Sequence, residues 1–247
     1  MTEHPVIALW RRHAPATQYP PGVLGVPTPI AGRSFFPGGY GLWAAEADRS
    51  LPDFPTGGVM VLGHDFHSES GYRESLERGR ESSTQPTWRN LADVLQRAGI
   101  PLERCFFTNY YMGLRAGTGT TGPFPGAGDP AFVSHCRSFL LDQLQTQQPQ
   151  LIITLGINVP WGIAPLSSDL SDWGARRGLR HLDSVGPVRR DIRFTGLPGF
   201  ATNIVALAHP SLRHASVRHR RYCGLTGDEA ELAMLRDALI GINLAVV

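Results

Sequence analysis

The chain contains no lysine: all 23 of its basic side chains are arginine. No lysine amine is present to form a Schiff base with a substrate carbonyl, which leaves only the N-terminal amine for that chemistry. Cysteine is scarce as well. Cys105, Cys136 and Cys223 stand far apart and form no Cys-x-x-Cys pair, and three thiolates fall short of the four that usually hold an iron–sulfur cluster. They read as buried or half-buried reduced thiols. No apolar run reaches the roughly eighteen residues of a membrane span. Met1–His13 lacks the apolar core and small-residue cleavage site of a secretory signal, so a cytoplasmic protein without membrane contact is expected. Net charge is only +2, which excludes a polycation that binds acidic partners by bulk charge.

What is present is enough for a sizeable core, with 42% hydrophobic residues in 247. Residues 14–57 are rich in Pro and Gly and predict an ordered loop, with Phe35, Phe36, Tyr40 and Trp43 packing it on the main body. Four short apolar runs follow, at Gly58–Leu62, Cys105–Thr108, Leu151–Leu155 and Ile204–Ala208. Continuous rather than alternating apolarity suits strands covered on both faces, as in a parallel sheet. Helical spacing appears at Pro86–Ala98, with Thr84 as a cap, at Asp129–Thr146, with an Asp-Pro start, and at Asp228–Ile242. The alternation predicts an α/β fold, a three-layer sandwich around a central, mainly parallel four-stranded sheet. No repeat or linker is evident, so one domain is expected: 1–57 an extension packed on the core, 58–222 the core, 223–247 a C-terminal helix.

Ligands of open α/β sheets bind at the carboxyl ends of the strands. After the four runs stand Gly63-His64-Asp65-Phe66-His67, Asn109-Tyr110-Tyr111, Gly156-Ile157-Asn158 and His209-Pro210-Ser211-Leu212-Arg213-His214. An acid, an amide and a histidine thereby converge on one sheet edge in the expected fold. Each also has a plainer reading: Asp65 as a turn cap, Asn109 as a turn former, His209 as a histidine bonded to backbone.

These segments resemble the uracil-DNA glycosylase superfamily. Its Gly-x-Asp loop, Thr-Asn strand end, Leu-Gly strand end and His-Pro-Ser loop are matched in order by Leu62-Gly63-His64-Asp65, Phe107-Thr108-Asn109, Ile153-Thr154-Leu155-Gly156 and Ala208-His209-Pro210-Ser211. Pro86-Thr87-Trp88-Arg89-Asn90-Leu91 is similar to the start of the family's first long helix, and the likeness spans roughly residues 58–222. The resemblance implies a glycosylase that hydrolyses the N-glycosidic bond of a pyrimidine flipped out of single- or double-stranded DNA. Asp65 would stabilise the cationic sugar and orient or deprotonate water, and His209 would donate to the carbonyl of the departing base. Asn109 would read the base edge, with His64, Phe66 and His67 around it and Tyr72, or else Trp88, stacking on it. Leu212–Arg221 matches the DNA-inserting loop, with Leu212 or Arg213 as the wedge and Ser211, His214, Arg218 and Arg220 also on DNA. Without lysine the reaction would be monofunctional hydrolysis. No cofactor and no obligate protein partner is implied.

The sequence departs from the uracil-specific form at Phe66-His67, where that form has Pro-Tyr and its Tyr rejects C5-substituted pyrimidines. A modified pyrimidine, such as a bulky C5-substituted cytosine of phage DNA removed in antiviral defence, is therefore an alternative substrate to uracil. The four-cysteine members that carry an iron–sulfur cluster are not matched. Two readings of other classes use the same residues: a metal-dependent hydrolase on His64, Asp65 and His67, and a catalytically inactive DNA-binding module.

Overall fold

A computed structural model describes residues 3–14, 18–27, 53–78, 81–175 and 177–244. Its strands are β1 (Val23–Leu24), β2 (Val59–Gly63), β3 (Cys105–Asn109), β4 (Leu114–Arg115), β5 (Leu151–Leu155), β6 (Val188–Arg193), β7 (Ala201–Leu207), β8 (Arg221–Tyr222) and β9 (Leu225–Thr226). Its α-helices are α1 (Pro5–His13), α2 (Glu69–Arg78), α3 (Pro86–Arg97), α4 (Pro130–Gln147), α5 (Asn158–Ile163), α6 (Leu179–Val185), α7 (Arg213–Ser216) and α8 (Gly227–Ala238). The chain forms two compact units: one of residues 1–54, 63–82 and 107–146, the other of 55–62, 83–106 and 147–247. The division falls inside two strands, so Gly63 and Phe107–Asn109 belong to the first unit and the rest of β2 and β3 to the second.

The fold is mixed α/β, with a mostly parallel sheet of five strands in the order β3-β2-β5-β7-β6 flanked by helices. β5 runs parallel to both neighbours, Val59 pairing with Leu151 and Leu151 with Asn203. The four expected strands are all present, and β2, β3 and β5 are buried along their whole length because both faces are covered. The fifth, β6, corrects the four-stranded expectation. It lies antiparallel to β7 at the sheet edge, and its pairing shifts between Arg189 and Ile192, where Asp191 takes φ 54°. Its sequence, Val-Arg-Arg-Asp-Ile-Arg, is that of an edge strand guarded by charge, not of an apolar run.

In the same unit, α3 buries Trp88, Leu91, Val94 and Leu95 and packs on the turn at Pro210–Leu212, where Asn90 Nδ2 donates to the Pro210 carbonyl at 2.9 Å. The expected cap Thr84 is not the N-cap. Gln85 holds that position, and Pro86 at the first helical residue presets φ. α8 packs on β6 and β7 and ends at Ala238, short of the expected Ile242.

The first unit contains α1, which sequence periodicity did not announce, and α4, whose Asp129 cap accepts from Phe132 N–H at 2.9 Å as expected. Val23–Leu24 pairs antiparallel with Leu114–Arg115. The core residues Phe124 and Phe132 stack with the half-buried Tyr111, with centroids 4.6 Å (Tyr111–Phe124) and 6.1 Å (Phe124–Phe132) apart and interplanar angles of 13° and 20°. Glu69–Arg78, for which the sequence predicts no element, forms α2, which buries just Tyr72 and Ser75. Most of the Pro/Gly-rich stretch, including Phe35, Phe36, Tyr40 and Trp43, lies outside the described residues. Cys105 and Cys136 are buried thiols as expected. Cys223 is exposed, because it sits at φ 47° in the tight turn between β8 and β9. No helix among the described residues is long and apolar enough to cross a membrane.

Candidate active site

Two glycines of the motifs have steric reasons to be glycine. A Cβ on Gly63 would stand 2.2 Å from Asn109 Oδ1, so the end of β2 can lie against the Asn109 amide only without a side chain. Gly156 takes φ +81°, and a Cβ there would come within 3.3 Å of His209 Cβ. Each glycine thus makes room for one of the residues singled out for chemistry.

In the first unit, Tyr110 N–H donates to the Gly63 carbonyl and Tyr111 N–H to that of His64, both at 2.9 Å. These bonds carry the two segments alongside each other past the strand ends, so Asp65 and Asn109 sit on neighbouring stretches of backbone. The Asp65 side chain is 11% exposed. Its Oδ1 accepts from His67 N–H at 3.1 Å and Arg115 Nε at 3.3 Å, and its Oδ2 from His64 Nδ1 at 2.9 Å and an Arg115 terminal nitrogen at 2.9 Å. Those four bonds use the roughly four acceptor sites that a carboxylate has. Burial by itself would raise this carboxyl, but the hydrogen bonds and charges of His64 and Arg115 outweigh it and bring the pKa from 3.8 to about 2. A carboxylate so held is a poor proton acceptor near neutral pH.

Arg115 is the site residue the sequence did not reveal. Besides gripping Asp65 it donates to the carbonyls of Thr121, Gly122 and Pro123 at 3.0–3.2 Å, and its guanidinium carbon lies 5.5 Å from the Phe124 ring centroid. Asn109 is 3% exposed, and its Nδ2 has no hydrogen-bond partner among the described residues. His64, half-buried, meets Tyr111 edge-on at 5.1 Å.

Three of the expected base-binding residues sit differently. Phe66 is wholly buried and Tyr72 is 3% exposed, so neither ring has an open face for stacking. Trp88, the second stacking choice, is core in α3. His67 is exposed, takes φ 77°, and turns its Nδ1 to Ser68 Oγ at 3.3 Å. For the metal-dependent alternative, His64 and His67 turn Nδ1 to Asp65 and Ser68, and among the described residues no group of three or more His, Cys, Asp or Glu is arranged to hold an ion.

In the second unit, His209 Nδ1 receives the Ser211 backbone N–H at 3.3 Å and lies 2.8 Å from Ser211 Oγ. A backbone N–H can only donate, so Nδ1 accepts and the proton of the neutral ring sits on Nε2. Ser211 thereby sets the His209 tautomer.

The cations of the following loop separate into two groups. Arg213 and Arg220 are buried, which corrects their assignment to DNA. Arg213 pairs with Glu231 and Asp228, and Arg220 with Glu231 at 2.7 Å and Asp183 at 2.8 Å. Arg220 also donates to the Ala206 carbonyl, and the fully buried Glu231 accepts the Ala208 N–H at 2.6 Å. The network fastens the backbone immediately before His209. Leu212, His214 and Arg218 are exposed, Leu212 at 57%. Arg213 is thereby removed as a wedge, and Leu212 is the expected wedge residue with its side chain in solvent.

No protein-family model and no curated protein matches the chain. The chemistry of the site therefore rests on the residues themselves. Arg115 was invisible in the sequence because 50 residues separate it from Asp65 and no motif surrounds it. Glu231 did carry a signal: it is an acid flanked by Ala230, Leu232, Met234 and Leu235 on the buried face of α8.

Proposed function

We propose that the protein is a monofunctional DNA glycosylase that hydrolyses the N-glycosidic bond of a flipped-out uracil or modified pyrimidine and leaves an abasic site. The proposal includes the finer architecture of a three-layer sandwich of the uracil-DNA glycosylase type. The observation that carries it is the Asn109 amide. A buried donor left unpaired costs about 1–3 kcal/mol, and Asn109 Nδ2 is such a donor, on the backbone stretch next to the ionised Asp65. A pyrimidine carbonyl supplies the missing acceptor, and the amide oxygen can take an N–H from the same base edge.

The other features fit this chemistry. His209, with its proton on Nε2, is a neutral donor for the base carbonyl on which negative charge collects as the bond breaks, a contribution of about 3–4 kcal/mol for one such donor. Asp65 remains anionic while the sugar becomes cationic. Leu212 can fill the gap of the flipped nucleotide, while Arg218 and His214 suit phosphate contacts.

The test is a panel of oligonucleotides bearing uracil, a thymine mismatch, hydroxymethylcytosine or glucosylated hydroxymethylcytosine, incubated with folded protein and then treated with alkali. Strand cleavage of at least one member, lost in Asn109→Ala, is expected. No cleavage of any member would overturn the proposal, and cleavage confined to uracil would remove the modified pyrimidine as substrate. The Asn109→Ala protein should also lose less than about 1 kcal/mol of stability, because deleting an unpaired buried donor offsets the lost packing.

A further inference from the structure

We infer that His64 is the proton acceptor for the attacking water, with Asp65 acting through it as a positioning residue; this rests on the glycosylase reading. Asp65 is ionised and so can only accept hydrogen bonds. The 2.9 Å contact between its Oδ2 and His64 Nδ1 therefore requires the proton on Nδ1, so that in the neutral form of the ring the lone pair lies on Nε2. No hydrogen bond to His64 Nε2 occurs among the described residues, and the side chain is 17% exposed, enough for a water to reach it. Asp65 itself has its acceptor sites engaged by His64, His67 and Arg115, so the basic nitrogen bonded to Asp65, His64, is the one the carboxylate can position toward a water. The edge-on Tyr111 ring at 5.1 Å and the Phe124 ring at 6.4 Å restrict rotation of the imidazole, so the Asp65 bond and the two rings together fix the direction of Nε2.

The step balances without a further reactant. One O–H bond of water breaks and its proton goes to His64 Nε2. The water oxygen bonds to the sugar C1′, and the bond from C1′ to the base nitrogen breaks with its electron pair leaving on the base. The base then takes a proton, His64 returns one to solvent, and the products are the free base and the abasic sugar. The charged and titratable groups around the ring are Asp65, bonded to it, Tyr111, at its edge, and Arg115, which reaches it through the shared carboxylate. None of these supplies a competing lone pair at Nε2.

The test is His64→Gln, whose amide N–H can keep the bond to Asp65 but has no basic nitrogen, together with His64→Ala assayed with and without added imidazole. On the substrate identified with wild-type protein, kcat should fall ~10²- to 10⁴-fold in His64→Gln with KM changed little. An acid-side decline of kcat is expected in wild type and should be absent from His64→Gln, and imidazole should restore part of the His64→Ala activity. Wild-type protein that excises a base while His64→Gln stays within threefold and keeps the acid decline would overturn this inference and leave the glycosylase reading standing. Wild-type protein inactive on every oligonucleotide overturns both. A fall in both kcat and melting temperature, without imidazole rescue, would show that His64 only supports the loop and would also overturn it.

Discussion

Replacing Arg115 by methionine removes a buried cation while keeping an unbranched stem, and the structure sets the size of the effect. The Arg115 and Asp65 side chains are 8% and 11% exposed and meet at 2.9 Å, so solvent can replace little of what is removed. Removing one partner of a buried pair costs about 3–5 kcal/mol. For a chain of 247 residues this is a drop in Tm of about 6–20 °C at ~2–4 °C per kcal/mol. The carboxyl supplies an independent check. Burial pushes it up, yet His64 and Arg115 bring it from 3.8 to about 2. At ~1.4 kcal/mol per pH unit that displacement corresponds to about 2 kcal/mol, shared between the two partners. The folded-state pKa is the depressed one, so this stabilisation is complete above the unfolded value of 3.8 and is lost as pH falls toward about 2.

Thermal and urea unfolding of wild type, Arg115→Met, Asp65→Asn and the double variant, at pH 7 and between about pH 4 and 2, would measure both quantities. Arg115→Met should be strongly destabilised at pH 7, the double variant less so than the sum of the singles, and the acid-dependent loss should flatten wherever either partner is missing. A single exchange that costs under about 1 kcal/mol, or a coupling within ~0.5 kcal/mol of zero, would refute the claim that Arg115 holds this carboxylate.

The two arginine classes of the late loop should behave in opposite ways. Arg220→Met should cost about 3–5 kcal/mol in urea unfolding because it leaves Glu231 and Asp183 short of a cation. Arg218→Ala should leave stability within ~0.5 kcal/mol but reduce the salt dependence of DNA binding by about 0.9 in slope for each phosphate that is no longer neutralised. Gly63→Ala forces a Cβ to 2.2 Å from Asn109 Oδ1 and should cost about 1–3 kcal/mol while abolishing base excision, read by unfolding and by alkali cleavage. Leu212→Ala, at a position 57% exposed, should leave Tm unchanged and lower excision from double-stranded far more than from single-stranded oligonucleotides.

What could be read in the sequence was whatever burial had written into residue type. β2, β3 and β5 are buried on both faces, and such a place selects mainly apolar residues, with Thr108, Asn109 and Thr154 as buried polar exceptions. β6 escaped because an edge strand needs few buried positions and its arginines discourage further pairing. α2 escaped for a related reason, since a helix that buries only Tyr72 and Ser75 has almost no apolar stripe to detect. In the site, Asn109 and His209 were legible because each follows an apolar strand run, and Gly63 and Gly156 lie against them in the structure. Partners across long separations were not. Arg115 lies 50 residues from Asp65 and Glu231 lies 18 from Arg213, and no local pattern connects either pair. Arg213, Arg218 and Arg220 are indistinguishable as letters. Their division into structural and exposed cations is made by an acid on α8.

The two histidines of the site are likewise ambiguous as letters. Each lies in a motif as an imidazole with both nitrogens open to either role, and residue type does not choose between donor and acceptor. At His209 a backbone N–H two residues on points at Nδ1 and forces the proton to Nε2. At His64 an ionised carboxylate one residue on points at Nδ1 and forces the proton there. The neighbours are local in both cases, but the second depends on a distant residue as well, because burial alone would favour a protonated Asp65, which could itself donate to Nδ1 and reverse the tautomer. Arg115 is among the groups that prevent this. Its guanidinium therefore acts on more than stability: by helping to keep Asp65 ionised it helps hold a proton on His64 Nδ1, which places the lone pair of the neutral ring on Nε2.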